Sequence, residues 1–119
     1  MYTLHSLLLS CPSSSIRMSS FTLSYSYVDS DDVSDYFDVR DEAGLIAMFD
    51  GNPDHDTDIE HEFTPPFVAR VVRLHPKSWQ YRPAVTWSLM GCAHGVYFEI
   101  SLCKVDGGTN SHPNSCCRM

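Results

Sequence analysis

Alternating hydrophobic and polar positions predict strands in the first half of the chain. Over residues 21–27, aromatic and aliphatic side chains alternate with Thr and Ser, so that one face of an extended segment is apolar and the other hydroxylic. A short strand is predicted over residues 36–39. Residues 67–74 are rich in Val and predict a further strand that ends at His75 and Pro76.

The second half of the chain carries the pattern of a β-hairpin. Residues 84–90 and 96–103 are extended in pattern, and the five residues between them include two glycines. In the first arm, Val85, Trp87 and Leu89 form an apolar face. The second arm presents a matching apolar face, formed by Val96, Phe98, Ile100 and Leu102.

One short helix is predicted over residues 41–50. Asp41 suits an N-cap, Glu42 suits the positive end of the helix dipole, and the apolar positions 45, 46, 48 and 49 have helical spacing. Gly51 and Pro53 are typical of a helix end. Together these elements predict an α+β fold, in which the helix packs on an antiparallel sheet of four or five strands.

The length of 119 residues fits a single domain. Residues 1–18 contain a Pro-Ser stretch and are predicted to form a disordered leader. The domain is predicted to span residues 19–106, and residues 107–119, rich in Gly, Asn and Ser, to form a flexible tail. No apolar run approaches the roughly 20 residues of a transmembrane helix.

The cysteines and the N-terminus predict a cytoplasmic or otherwise intracellular protein. Five cysteines cannot all pair, and their spacing matches no small disulfide scaffold. Residues 4–9 are mildly hydrophobic, but no Lys or Arg precedes Arg17, so the charged region of a secretory signal is missing. Secretion is the less favoured alternative.

Charge is distributed very unevenly along the chain. Of the 15 acidic residues, 13 lie within residues 29–62, where Arg40 is the one Lys or Arg. This segment therefore has a charge of −12, whereas the whole chain has a net charge of −7. Such a field repels nucleic-acid phosphates and attracts basic surfaces. We therefore expect neither direct nucleic-acid binding nor a membrane partner, but another protein with a basic surface.

The densest acidic stretch has a period of two. If it is extended, one face presents the carboxylates of Asp54, Asp56, Asp58, Glu60 and Glu62. Trp79 and Tyr81, in a Pro-bounded loop, are candidate apolar anchors, because aromatic residues dominate interface hot spots. The sequence thus predicts a small acidic protein-binding module, such as an inhibitor, an immunity factor or an adaptor.

A divalent-cation domain is the alternative function. Oxygen-bearing side chains at every second position resemble the opening of a calcium loop, and this candidate set is Asp50, Asn52, Asp54, Asp56 and Asp58. The glycine and the final Glu of an EF-hand are replaced by His55 and His61, which with nearby carboxylates are candidate zinc ligands. No other cofactor is expected.

Catalysis is the third and least favoured interpretation. The sequence contains no nucleophile elbow, no zinc-protease motif, no phosphate-binding glycine loop and no dinucleotide fingerprint. We therefore expect that the chain is not an enzyme, and we assign no catalytic residue.

Overall fold

In a computed structural model, the chain is built almost entirely of antiparallel strands. The structure describes residues 2–10, 17–29, 32–54, 57–80, 84–93, 96–106 and 115–118. The nine strands are β1 (Tyr2–Ser10), β2 (Arg17–Ser26), β3 (Phe37–Asp38), β4 (Phe49–Asp50), β5 (Ile59–Ala69), β6 (Val71–Gln80), β7 (Ala84–Ala93), β8 (Val96–Asp106) and β9 (Ser115–Arg118). A single 3₁₀ turn, Val33–Asp35, is the one helical element among these residues.

The strands form two sheets that enclose one core. The first sheet has the order β5-β1-β7-β8, and the second has the order β3-β2-β6-β9, with β4 also pairing with β2. Both sheets contribute fully buried side chains, including Leu7 and Trp87 from the first and Phe21 and Leu74 from the second. Within the described ranges, no helix is long and apolar enough to span a membrane.

The prediction of an α+β fold is wrong, because residues 41–50 form no helix. Asp41 does bind backbone N–H groups as an N-cap would, but it closes a tight turn instead. An Asp that precedes free N–H groups stabilises a turn as readily as a helix start. The apolar residues that follow do not form the buried face of a helix, since only Ala47 and Phe49 are half-buried and the others are exposed.

Most predicted strands are confirmed, with shifted ends. β2, β3 and the β7–β8 hairpin occur where the sequence predicts them, and Val85, Trp87 and Leu89 are buried. The predicted strand over residues 67–74 is instead divided at Arg70, whose N–H donates to the carbonyl of Ser26. Pro76 does not end β6, which continues to Gln80.

The predicted leader contains a central strand. β1 lies between β5 and β7, and Leu4, Leu7 and Leu9 are completely buried. Its alternation is hidden in the sequence because the pairing register shifts between Leu4 and Ser6. In the predicted tail, Ser115–Arg118 forms β9 beside β6, while residues 107–114 lie outside the described part. The domain boundaries at 19 and 106 therefore exclude strands that belong to the fold.

Candidate functional site

Residues 40–48, here called the 40–48 loop, form a turn that is held by its own hydrogen bonds. The carboxylate of Asp41 accepts from the N–H groups of Ala43 (2.9 Å) and Leu45 (3.0 Å). The N–H of Asp41 donates to the carbonyl of Leu45, and Nη1 of Arg40 donates to the carbonyl of Gly44. Gly44 has a φ of +81°, a conformation that side chains with a Cβ rarely adopt. These hydrogen bonds and the backbone conformation of Gly44 together fix the loop.

The loop presents three large apolar side chains to solvent. Leu45 is 66% exposed, Ile46 is 47% exposed and Met48 is 61% exposed. On the side that faces the core, the N–H of Ala47 donates to the carbonyl of Val39. Phe49, which follows the loop, stacks on Phe21 with the ring centres 5.3 Å apart. Neighbouring exposed apolar side chains of this kind mark surfaces that bind other molecules.

A cavity of about 280 Å³ separates the 40–48 loop from β5. Its apolar lining comes from Val39, Ala47, Phe49 and Phe63, and its polar lining includes Arg40, Asp41, Glu42, Glu62 and Thr64. The lining thus combines three carboxylates and one guanidinium with the aromatic rings of Phe49 and Phe63. A second cavity of about 300 Å³, lined by His5, Ser6 and Glu60, shares Glu62 and Phe63 with the first.

Two prolines in β5 account for the break in pairing beside these cavities. Leu4 pairs with Phe67 and Ser6 pairs with Glu62, so residues 63–66 leave the ladder with β1. Pro65 and Pro66 have no N–H to donate, which confines such residues to edge strands and bulges. β5 is an edge strand of its sheet, as this requires.

Of the predicted acidic face, Glu60 and Glu62 lie in strand β5, whereas Asp54 lies in a bend before it. Asp54, Asp58, Glu60 and Glu62 are exposed, while Ile59 and His61 on the alternate face are half-buried. Asp56 lies outside the described residues. The face belongs to β5 and the segment before it, and its assignment to partner binding stays a prediction.

One of the two predicted anchors, Trp79, does not lie in the same sheet as this face. Trp79 is 43% exposed near the end of β6, in the sheet opposite β5, and Tyr81 lies outside the described residues. Their role in binding also stays a prediction.

One member of the predicted cation set, Asn52, forms hydrogen bonds within the fold through its side-chain amide. The side chain of Asn52 is buried, and its amide donates to the carbonyls of Leu9 (3.1 Å) and Thr57 (2.7 Å). His61 bonds through Nε2 to the carbonyl of Asp50 rather than standing free. In the part of the chain that the structure describes, no three His, Cys, Asp or Glu side chains are grouped to hold a metal. Because Asp56 is outside that part, cation binding stays a prediction.

A second acidic turn lies at residues 32–35. Asp32 accepts hydrogen bonds from the N–H and the hydroxyl of Ser34. These bonds stabilise the ionised carboxylate and lower the pKa of Asp32, so this residue keeps its charge to lower pH than an ordinary Asp. Val33, beside it, is 74% exposed.

The sequence pattern misassigned the residues of the 40–48 loop to the buried face of a helix. Asp41 followed three positions later by Gly44 is also the signature of a turn, in which Asp bonds to nearby N–H groups and Gly supplies the positive φ. That interpretation would have left Leu45, Ile46 and Met48 outside the core.

Comparisons with known proteins relate the chain to extracellular proteins of coagulation and venom. It is 32% identical over 93 residues to the non-catalytic subunit of the venom prothrombin activator pseutarin-C from Pseudonaja textilis, which covers 77% of this chain and 6% of that protein. Coagulation factor V of the same snake is 32% identical over 76% of the chain. Rat lactadherin is 36% identical over 60% of the chain and 17% of its own length. No family model matches the chain.

These relatives decide two of the predictions. The venom protein is a non-catalytic subunit, and the prediction that the chain is not an enzyme is confirmed. The prediction of an intracellular location is wrong, because coagulation factors, venom proteins and lactadherin are extracellular. The chain spans only a few per cent of the coagulation factors that it matches, 2% of canine factor VIII and 6% of the snake factor V. What the comparisons support is similarity to discoidin-like binding domains.

Proposed function

We propose that this chain is a non-catalytic recognition module of an extracellular protein, an adaptor that binds a partner protein bearing a basic surface. The observation that carries the proposal is the exposure of Leu45, Ile46 and Met48 on a loop surrounded by carboxylates. The nearest of these along the chain and across the cavity are Asp41, Glu42, Asp50 and Glu62.

The apolar side chains of the loop are available for binding because the fold does not depend on them. The turn is closed by the hydrogen bonds of Asp41 and Arg40 and by Gly44, all of which involve backbone or polar groups. Full burial of an aliphatic side chain contributes roughly 1.5–3 kcal/mol. When a partner covers Leu45 and Met48, the burial of these side chains contributes a part of that free energy to binding.

Charge favours a protein partner over a lipid surface. Discoidin-like domains of the relatives bind proteins or membrane phospholipids. Anionic headgroups attract basic residues and repel acidic ones, and residues 29–62, which include the loop, carry −12. A basic protein surface is attracted by the same field and associates faster because of it.

The decisive experiment compares proteins with membranes as targets of the full chain. The chain is immobilised and exposed to a panel of secreted proteins, half strongly basic and half strongly acidic, and to vesicles of phosphatidylcholine with and without phosphatidylserine. We expect binding to members of the basic half, with affinity that falls as salt is raised. Binding to phosphatidylserine vesicles without binding to any basic protein would refute the proposal.

Variants assign the binding to the 40–48 loop. Replacing both Leu45 and Met48 with Ser is expected to weaken binding to the basic proteins at least tenfold, because two exposed apolar contacts are lost. Val68→Ser is the matched control, since Val68 is 40% exposed on β5 and outside the loop. Trp79→Ser, measured in parallel, tests whether the predicted anchor belongs to the same surface.

A further inference from the structure

The cavity between the 40–48 loop and β5 has the dimensions of a pocket for one side chain. Its volume of about 280 Å³ lies at the lower limit of small-molecule sites, which span about 300–1,000 Å³. It opens beside Met48, one of the exposed apolar residues of the loop, so that a molecule bound to the loop also covers the cavity.

The lining of the cavity combines aromatic rings with carboxylates. Phe63 is almost fully buried and Phe49 is half-buried, and their rings lie 6.3 Å apart at nearly a right angle. Asp41 and Glu42 line the cavity from the loop, and Glu62 lines it from β5. A cavity lined by both apolar rings and carboxylates fits a side chain that has an apolar stem and a cationic end.

The carboxylates that face the cavity retain their capacity to bind a cation. Among the residues that the structure describes, the side-chain carboxylates of Glu42 and Glu62 have neither a hydrogen-bond donor nor an ion-pair partner. Arg40 also lines the cavity, but Nη1 of its guanidinium donates to the carbonyl of Gly44. Three carboxylates against one guanidinium leave the lining with a net negative charge.

We propose that this cavity receives an arginine side chain of the partner protein, with Glu62 as its counter-ion and Phe49 and Phe63 packed along its stem. The inference rests on the proposed function and specifies the residue that the partner contributes. A purely apolar side chain in the cavity would desolvate the carboxylates without compensation, which is costly. Arginine suits the site better than lysine, because its planar fork bonds a carboxylate twice and stacks on aromatic rings.

A small-molecule probe tests the cavity without any knowledge of the partner. n-Butylguanidinium reproduces the end of an arginine side chain, and N-butylurea is its neutral analogue of nearly the same shape. Each is titrated into the full chain, and the amide and aromatic NMR signals of Phe49, Phe63 and Thr64 are followed. We expect saturable shifts with n-butylguanidinium and at least fivefold weaker binding of N-butylurea.

Two variants provide a matched comparison on one strand. Glu62→Gln removes a charge that lines the cavity, whereas Glu60→Gln removes the same charge two residues away, where the side chain lines only the second cavity. Both glutamates are exposed, so neither change is expected to alter the melting temperature. We expect Glu62→Gln to weaken n-butylguanidinium binding at least fivefold and Glu60→Gln to weaken it less than twofold.

Two results would overturn the inference. One is equal binding of the charged and neutral probes, which would make the cavity merely apolar. The other is an equal effect of the two substitutions, which would mean that general attraction to the acidic face holds the probe. Neither result bears on the proposed function, which fails separately if the chain binds phosphatidylserine vesicles and none of the basic proteins.

Discussion

β7 and the 40–48 loop contain similarly apolar sequences but use them in opposite ways. In β7, Val85, Trp87 and Leu89 alternate with polar residues and are at most 1% exposed. In the loop, Leu45, Ile46 and Met48 follow a turn and are roughly half to two-thirds exposed. Burial therefore holds β7 in place, whereas hydrogen bonds within the turn hold the loop.

This difference separates the residues that stabilise the fold from those available for recognition. A buried side chain in β7 contributes its full transfer free energy to folding. An exposed side chain in the loop contributes little until another molecule covers it. Substitutions in the two regions should therefore have opposite effects on stability and on binding.

The largest loss of stability is expected in β7. Trp87→Ala removes a completely buried indole from between the two sheets and leaves a cavity, so we expect a loss of about 3–5 kcal/mol. Urea denaturation of the full chain measures it. A loss below about 1 kcal/mol would mean that the core is not packed around Trp87.

A smaller loss is expected where the loop returns to the sheet at Gly51. Gly51 donates its N–H to the carbonyl of Ser19, and a Cβ at this position would overlap the carbonyl oxygen of Met18. Gly51→Ala must displace backbone, which we expect to cost about 1–3 kcal/mol in urea denaturation. Gly44→Ala is the informative comparison, because it meets no atom within 4 Å and its cost comes from the positive φ alone.

The turn itself is expected to contribute less. Asp41→Ala removes an acceptor for the N–H groups of Ala43 and Leu45, which resembles the loss of a helix cap and should cost about 0.5–2 kcal/mol. Glu42→Ala removes the same charge next to it and serves as the control. Faster amide hydrogen exchange at Ala43 and Leu45 in Asp41→Ala alone would locate the effect in the turn.

The smallest effect on stability is expected from the exposed apolar residues. Leu45→Ser/Met48→Ser should change the free energy of unfolding by no more than about 0.5 kcal/mol for each substitution. Binding to basic proteins should nevertheless fall at least tenfold. A large loss of stability in this variant would contradict the separation between the two regions.

Sequence patterns predicted those strands whose alternation is unbroken. The sequence predicts β7 and its buried face correctly, because Val85, Trp87 and Leu89 lie at every second position of a regularly paired stretch. β1 was missed because its register shifts between Leu4 and Ser6. The division at Arg70 was missed as well, since one residue separates two strands of different sheets and the apolar pattern continues across it.

The candidate site was predicted only in part, for a local reason. Asp41 has the same sequence signature at a helix start and at a turn, and only the tertiary environment decides between them. The pairing of β4 with β2 holds Phe49 and Asp50 in an extended conformation at the end of the predicted helix. The acidic period did predict that Glu60 and Glu62 of β5 are exposed, and Ile59 and His61 beside them are half-buried.

Hydrogen–deuterium exchange tests most directly whether the 40–48 loop is the recognition surface. It is measured on the free chain and on its complex with the strongest binder in the basic panel. Protection on binding should be concentrated in residues 40–49 and 59–65, the two segments on either side of the cavity. Protection around Trp79 at the end of β6, with residues 40–48 unchanged, would contradict the account.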